Sequence, residues 1–260
     1  MDVIPHWFFF VAAGILGLEL GGIASIFIQR WIDEVPILKP GRSRCPSCLH
    51  KLGLTETIPL VSFLWLKGRC RHCNAAIGAQ YLLVELACMA WSIAVAYRFG
   101  LSPEWGVYLV LGVMLIVGSL IDIETFLLPD RVTLGGTCLA LVASFFLENG
   151  VDWQRAFLGA AMGAGLFWVL QQGYRLMRGQ EGLGTGDIKL MAMIGAMVGV
   201  GGLPLTLFVG SFTGAIASLF YTFSSGKDGI HGKVPYGPFL SLGCMVTVLY
   251  GSDIMAWWKV

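Results

Sequence analysis

Charge is scarce in this chain. Lys and Arg number 17 and Asp and Glu 16 among 260 residues, so 13% of positions are charged, where a soluble domain carries about 25%. Apolar residues make up 56% of the sequence and mean hydropathy is +0.75. That composition excludes an ordinary water-soluble fold, which needs polar residues to cover its surface. With a net charge of +1, no bulk electrostatic argument for nucleic-acid binding arises. No Lys or Arg precedes the first long apolar run, and the first one, Arg30, follows it. A secretory signal peptide has the opposite order and a shorter core, so that run reads as a retained membrane helix. Low-complexity tracts and internal repeats are absent as well. No GxGxxG segment follows a strand-like stretch, so no nucleotide pocket of the Rossmann type is signalled.

What the chain has instead is apolar length. A helix crossing a bilayer needs about 20 mostly apolar residues. Runs near 7–29, 79–98, 105–121, 132–148, 155–174, 188–202, 204–224 and 235–251 meet or approach this. They predict an all-α, polytopic membrane helix bundle of about eight transmembrane helices, with both termini on one side. The cations then fix orientation, because Lys and Arg concentrate in cytoplasmic loops. Eight fall between Arg30 and Arg71, and Arg131, Arg175, Arg178, Lys189, Lys227 and Lys233 share that face. Only Arg98, Arg155 and Lys259 lie on the other. The long loop is therefore expected in the cytoplasm and both termini outside. The expected organisation is a first transmembrane helix over 1–29, a cytoplasmic loop domain over 30–78 and a membrane domain over 79–260.

That loop holds Cys45-Pro-Ser-Cys48 and Cys70-Arg-His-Cys73, with 21 residues between the pairs. Each CxxC turn presents two thiolates to one ion, and zinc takes four in a tetrahedron. A small loop with little core gains folding free energy from such an ion. Structural Zn²⁺ on Cys45, Cys48, Cys70 and Cys73 is the expectation, with a Cys₃His set using His72 left open. The competing reading, disulfides or a redox pair, is disfavoured on a reducing cytoplasmic side. Cys88, Cys138 and Cys244 fall in apolar runs and read as small buried hydrophobes.

Two acids stand where apolar runs meet polar stretches: Asp122 in Ser119-Leu-Ile-Asp-Ile-Glu-Thr-Phe-Leu-Leu-Pro-Asp130, and Asp187 in Glu181-Gly-Leu-Gly-Thr-Gly-Asp-Ile-Lys-Leu190. A carboxylate at membrane depth is costly and marks a functional site by default. The expected topology ends the third span and begins the sixth at the same face, so these two can meet. Two adjoining carboxylates share a proton. One can then activate water while the other, protonated, holds a scissile carbonyl. Glycines at 182, 184 and 186 would let an extended substrate approach closely. Glu124 and Glu181 read as loop acids that tune the field, and Asp130 as the N-cap of the fourth span. Glu19, inside the first run, has no evident role. A transporter using the acids as a proton relay is the main alternative, but such sites lie near midplane in repeated folds. A zinc-loop scaffold without activity would leave both acids unexplained.

Taken together the chain resembles the prepilin peptidases, membrane aspartic peptidases of type IV pilus and type II secretion systems. The residues that carry the resemblance are the two CxxC motifs, Ile58-Pro-Leu-Val-Ser62, Gly68-Arg-Cys-Arg-His-Cys73, Leu83-Val-Glu85, Ile121-Asp122 with Leu128-Pro-Asp130, Glu181 to Leu190, and Pro235-Tyr-Gly-Pro238. They span nearly the whole chain in order. The resemblance implies cleavage of a basic leader from prepilins or pseudopilins, after Gly, at the cytoplasmic face of the bacterial inner membrane. It makes Asp122 and Asp187 the catalytic pair. Substrate contacts are expected from Gly184, Gly186, Lys189, Glu124 and Glu181, with membrane lipid around the bundle and no nucleic-acid partner. The resemblance also implies N-methylation of the new terminus with S-adenosylmethionine, the alternative being a peptidase without that second activity. One departure is Gly21-Gly-Ile-Ala-Ser25, where family members commonly read Gly-Ser-Phe-Leu-Asn. It bears on methylation and leaves the aspartates untouched.

Overall fold

The structure is a computed structural model that describes residues 5–36, 48, 50, 53, 60, 65–76, 78–179, 184–225 and 234–258. Seven helices run through them: α1 (His6–Ile32), α2 (Ala79–Phe99), α3 (Pro103–Thr125), α4 (Asp130–Ala143), α5 (Trp153–Arg178), α6 (Thr185–Ser225) and α7 (Gly237–Trp258). Among the described residues the only β feature is an isolated antiparallel bridge between Arg69 and Ala76. The chain divides into two compact units, Met1–Val117 and Gly118–Val260, with α3 running through the division.

Among the described residues five helices are long and apolar enough to cross a membrane: α1, α2, α3, α6 and α7. The eight expected spans differ from this in three places. The sixth and seventh follow each other within α6 as two helical segments that meet at Gly199, whose φ of 66° and ψ of 177° leave the helical region a few residues before the expected boundary. Apolar residues continue through the break, so the sequence puts the boundary near 203 and not at Gly199. α4 has 14 residues, about 21 Å of helix, and is too short to cross unaided. α5 has 26 residues, but Gln154, Arg155, Gln171, Gln172 and Arg175 dilute its apolar character. Exposed Phe208, Phe212, Leu219, Phe220 and Phe223 line the second half of α6, as a lipid-facing surface requires.

Lipid is as apolar as Leu, so helices in a membrane associate by close packing and interhelical hydrogen bonds. Glycines at the helix contacts serve this. In the first unit, a methyl group on Gly21 would lie 2.6 Å from the Glu85 Cα, and one on Gly17 would lie 2.7 Å from the Cys88 carbonyl oxygen. Ser92 Oγ donates to the Ala13 carbonyl over 2.6 Å. α1 and α2 therefore touch backbone to backbone. In the second unit, Gly159 of α5 and Gly195 of α6 face each other with no room for a side chain on either. Thr206 Oγ1 of α6 donates to Thr247 Oγ1 of α7 over 2.9 Å, fully buried, a contact worth about 0.6 kcal/mol in a bilayer.

Helix ends follow local chemistry. The Asp152 side chain caps α5 by accepting from the Gln154 N–H over 3.2 Å. That helix ends at Gly179 in the left-handed region, with Arg175 and Arg178 in its last turn, which suits the helix dipole. α4 begins differently from expectation. Pro129 is the N-cap and Asp130 the first helical residue. Proline's fixed φ sets the entry, and the Asp130 carboxylate is committed elsewhere.

Candidate active site

Asp122 sits in the last turn of α3, 6% exposed. The turn after it is sharp: the Phe126 N–H donates to the Asp122 carbonyl over 2.9 Å and Phe126 takes a left-handed φ of 56°. Thr125 Oγ1 donates to the Ile121 carbonyl. These bonds stop α3 and point the chain toward Pro129. Asp122 Oδ2 accepts the backbone N–H of Gly237, the first residue of α7, over 3.1 Å. The α7 start is itself held. The Tyr236 hydroxyl lies 2.9 Å from Ser211 Oγ, and its ring stacks on Phe167 at 6.3 Å.

Asp187 is half-buried in the first turn of α6. Its own N–H donates to the Gly184 carbonyl over 3.2 Å. The two carboxyl groups lie close enough to act on each other electrostatically. Both stand at positive ends of helices, Asp187 inside the first turn of one and Asp122 against the first N–H of another, where negative charge is favoured. Close packing is required here as well. A methyl on Gly237 would lie 2.6 Å from Asp122 Oδ2, and one on Gly184 would lie 3.4 Å from Asp187 Oδ2. Chemically, this is a paired carboxylate site at the ends of three helices.

The other expected site residues fall in different places. Lys189 forms an ion pair with Asp130 at 2.6 Å, joining α6 to α4. Glu124 is exposed on the last turn of α3. Gly186 lies against Leu128. Glu181 lies outside the described residues. Gly237 was not singled out from the sequence as a partner of Asp122. It contributes only a backbone N–H, and the Pro235 to Pro238 motif was the sole signal near it.

The cysteine site belongs to the first unit. Sγ atoms of Cys48, Cys70 and Cys73 all lie within 4.8 Å of one another, with 4.0 Å between Cys48 and Cys70. Zinc–sulfur bonds of about 2.3 Å put tetrahedral sulfurs about 3.8 Å apart, so the three thiols fit one ion. Cys45 lies outside the described residues. A compact turn carries the second pair: the Cys70 N–H donates to the Ala75 carbonyl and the Asn74 N–H to the Cys70 carbonyl, each over 2.9 Å. His72 is exposed, as expected, and its ring lies tilted at 36° against that of His50. Glu85 of α2 reaches toward this loop, where its Oε2 accepts the Leu60 N–H over 2.7 Å. Glu19 is exposed on α1 within electrostatic reach of Glu85.

Known proteins agree with this division of labour. The model of the type IV leader peptidase family matches residues 109–219, and that of the bacterial peptidase A24 N-terminal domain matches residues 15–99. A prepilin leader peptidase/N-methyltransferase of Aeromonas hydrophila is 34% identical over 281 residues, covering 97% of this chain and 94% of that protein. The chain belongs to the type IV leader peptidase family. A second relative of the same description, from Pseudomonas putida, is 34% identical over 270 residues, covering 96% of this chain and 93% of its own. A third, from Pseudomonas aeruginosa PAO1, is 40% identical over 214 residues, covering 82% and 72%. No solved structure gives a significant match. Within the family assignment, Asp122 and Asp187 both fall in the peptidase match, and the cysteine loop falls in the N-terminal match.

Proposed function

We propose that the chain is a membrane aspartic endopeptidase that removes the leader from prepilins or pseudopilins and then methylates the new N-terminal amine. The observation that carries this reading is the meeting of Asp122 and Asp187, 65 residues apart in sequence, at the ends of apolar helices. In the proposed reaction one ionised carboxylate takes a proton from water as the oxygen attacks the scissile carbonyl. The other, protonated, hydrogen-bonds that carbonyl oxygen and stabilises the charge developing on it. The proton then passes to the leaving amine. A shared proton is the ground state such a pair favours.

The substrate helix must unwind before its peptide bond is accessible. Gly184 gives the extended segment room beside Asp187, while Gly186 packs on Leu128. Glu124 and Glu181 offer negative charge to a basic leader, and Lys189 contributes to the same rim. The active face is assigned to the cytoplasm and both termini to the outside, on the cation asymmetry. Cys48, Cys70 and Cys73, with Cys45, would hold structural Zn²⁺, which supplies folding free energy to the loop. S-adenosylmethionine supplies the methyl group in the second reaction.

The test is cleavage of a prepilin by purified protein in liposomes, read by intact mass. A leader-sized loss that disappears in Asp122→Asn and Asp187→Asn supports the peptidase. A further methyl-sized gain with S-adenosylmethionine supports the second activity. Well-folded wild-type protein that cuts no prepilin overturns the reading.

A further inference from the structure

Leu128 lies in the short turn between α3 and α4, six residues after Asp122. Its side chain faces three glycines that belong to three helices. A methyl on Gly186 would lie 3.0 Å from Leu128 Cβ, one on Gly118 would lie 3.5 Å from its Cδ2, and one on Gly237 would lie 3.6 Å from its Cδ1. Each glycine is tied to the aspartates. Gly118 is one turn before Asp122 on α3. Gly186 directly precedes Asp187. Gly237 donates the N–H that Asp122 accepts.

We infer that Leu128 is a positioning residue that sets the spacing between Asp122 and Asp187. This rests on the peptidase reading. The geometry explains how one apolar side chain controls two acids. The α3 end, the α6 start and the α7 start converge on Leu128, and none of the three glycines has a side chain of its own to hold the distance. The backbone of Leu128 has little freedom. Phe126 before it is locked in a left-handed turn closed by the Asp122 carbonyl. Pro129 after it is buried and restricts the preceding residue to extended conformations. The Val132 and Thr133 N–H groups both donate to the Pro129 carbonyl, fastening the turn to α4. The Leu128 side chain thus projects from a fixed point.

The spacing of a carboxylate pair decides whether both reach the reacting atoms. A misplacement of about 1 Å lowers turnover about 100-fold. Trimming Leu128 leaves a gap at the point where the three helix ends meet, so the acids drift while each keeps its own backbone. Substrate groups bound elsewhere are unaffected.

The experiment measures prepilin cleavage by wild type, Leu128→Ala and Leu128→Met in liposomes, together with thermal melting of each. The expected result is a kcat for Leu128→Ala reduced about 100-fold with KM nearly unchanged, and recovery of most of that loss in Leu128→Met, which restores the volume. A Leu128→Ala enzyme with wild-type kcat overturns the inference. So does a loss of kcat that Leu128→Met fails to recover while melting like wild type. Wild-type protein that never cleaves overturns the peptidase reading instead, and the two failures are distinct.

Discussion

The backbone N–H of Gly237 and the Oδ2 of Asp122 meet over 3.1 Å, although 115 residues separate them. That oxygen is also the atom a methyl on Gly237 would strike, at 2.6 Å. Gly237 is therefore constrained by what it holds.

Gly237→Ala should lower cleavage by about tenfold or more, since the added methyl forces Asp122 off its position or strains α7 by about 1–3 kcal/mol. Turnover measured on protein that accumulates normally checks this. Equal turnover would place Asp122 elsewhere during catalysis.

Asp122→Asn and Asp187→Asn should each reduce cleavage by about 10²–10⁴-fold, the usual contribution of a general acid or base. Asn keeps the shape and the Gly237 N–H contact, so accumulation and melting should not change. Intact mass spectrometry of the prepilin product reads the outcome.

Zinc analysis should find one ion per chain, lost in Cys70→Ser. Cys70 is 4% exposed, so its sulfur is the best shielded of the described three. Loss of the ion should open the cysteine loop to proteolysis while prepilin cleavage persists, because both aspartates belong to the other unit. Parallel loss of cleavage would tie the loop to the peptidase reaction.

Gly195→Leu should destabilise the protein by about 1–3 kcal/mol or more, because Gly159 on α5 leaves no space for a side chain there. A lower melting temperature in detergent, with kcat retained by the folded fraction, is the expected pattern.

Lys189→Ala should change stability by only about 0–1 kcal/mol. Its pair with Asp130 is short, but the side chains are 36% and 60% exposed. A larger effect on KM than on melting would support its place at the substrate rim.

The positions of most helices were legible because an apolar run of membrane length has few other uses. α1, α2, α3 and α7 lie close to the runs that predict them. The division between the sixth and seventh spans was legible, but its position was displaced by a few residues. Gly199 turns the backbone without any polar residue to mark it, and a methyl there would meet Val151 Cγ1 at 2.8 Å. Asp122 and Asp187 stood out because a carboxylate in apolar surroundings is too costly to be incidental. Gly237 did not, since a main-chain N–H has no side-chain signature. Asp130 has the composition of an N-cap, but Pro129 occupies that role and Lys189 takes the carboxylate. Capping preference reads only neighbours in sequence, and this pairing comes from 59 residues away.

Cutting a peptide bond consumes a water molecule, and oil holds almost none. α4, at about 21 Å, falls short of a hydrocarbon core about 30 Å thick. The charged Lys189–Asp130 pair sits at its start and needs solvent, which sets the missing length at that end. Asp187 is only two residues from Lys189. An acid two residues from an exposed ion pair can draw its water from the membrane surface, with no need of a pore through the bilayer.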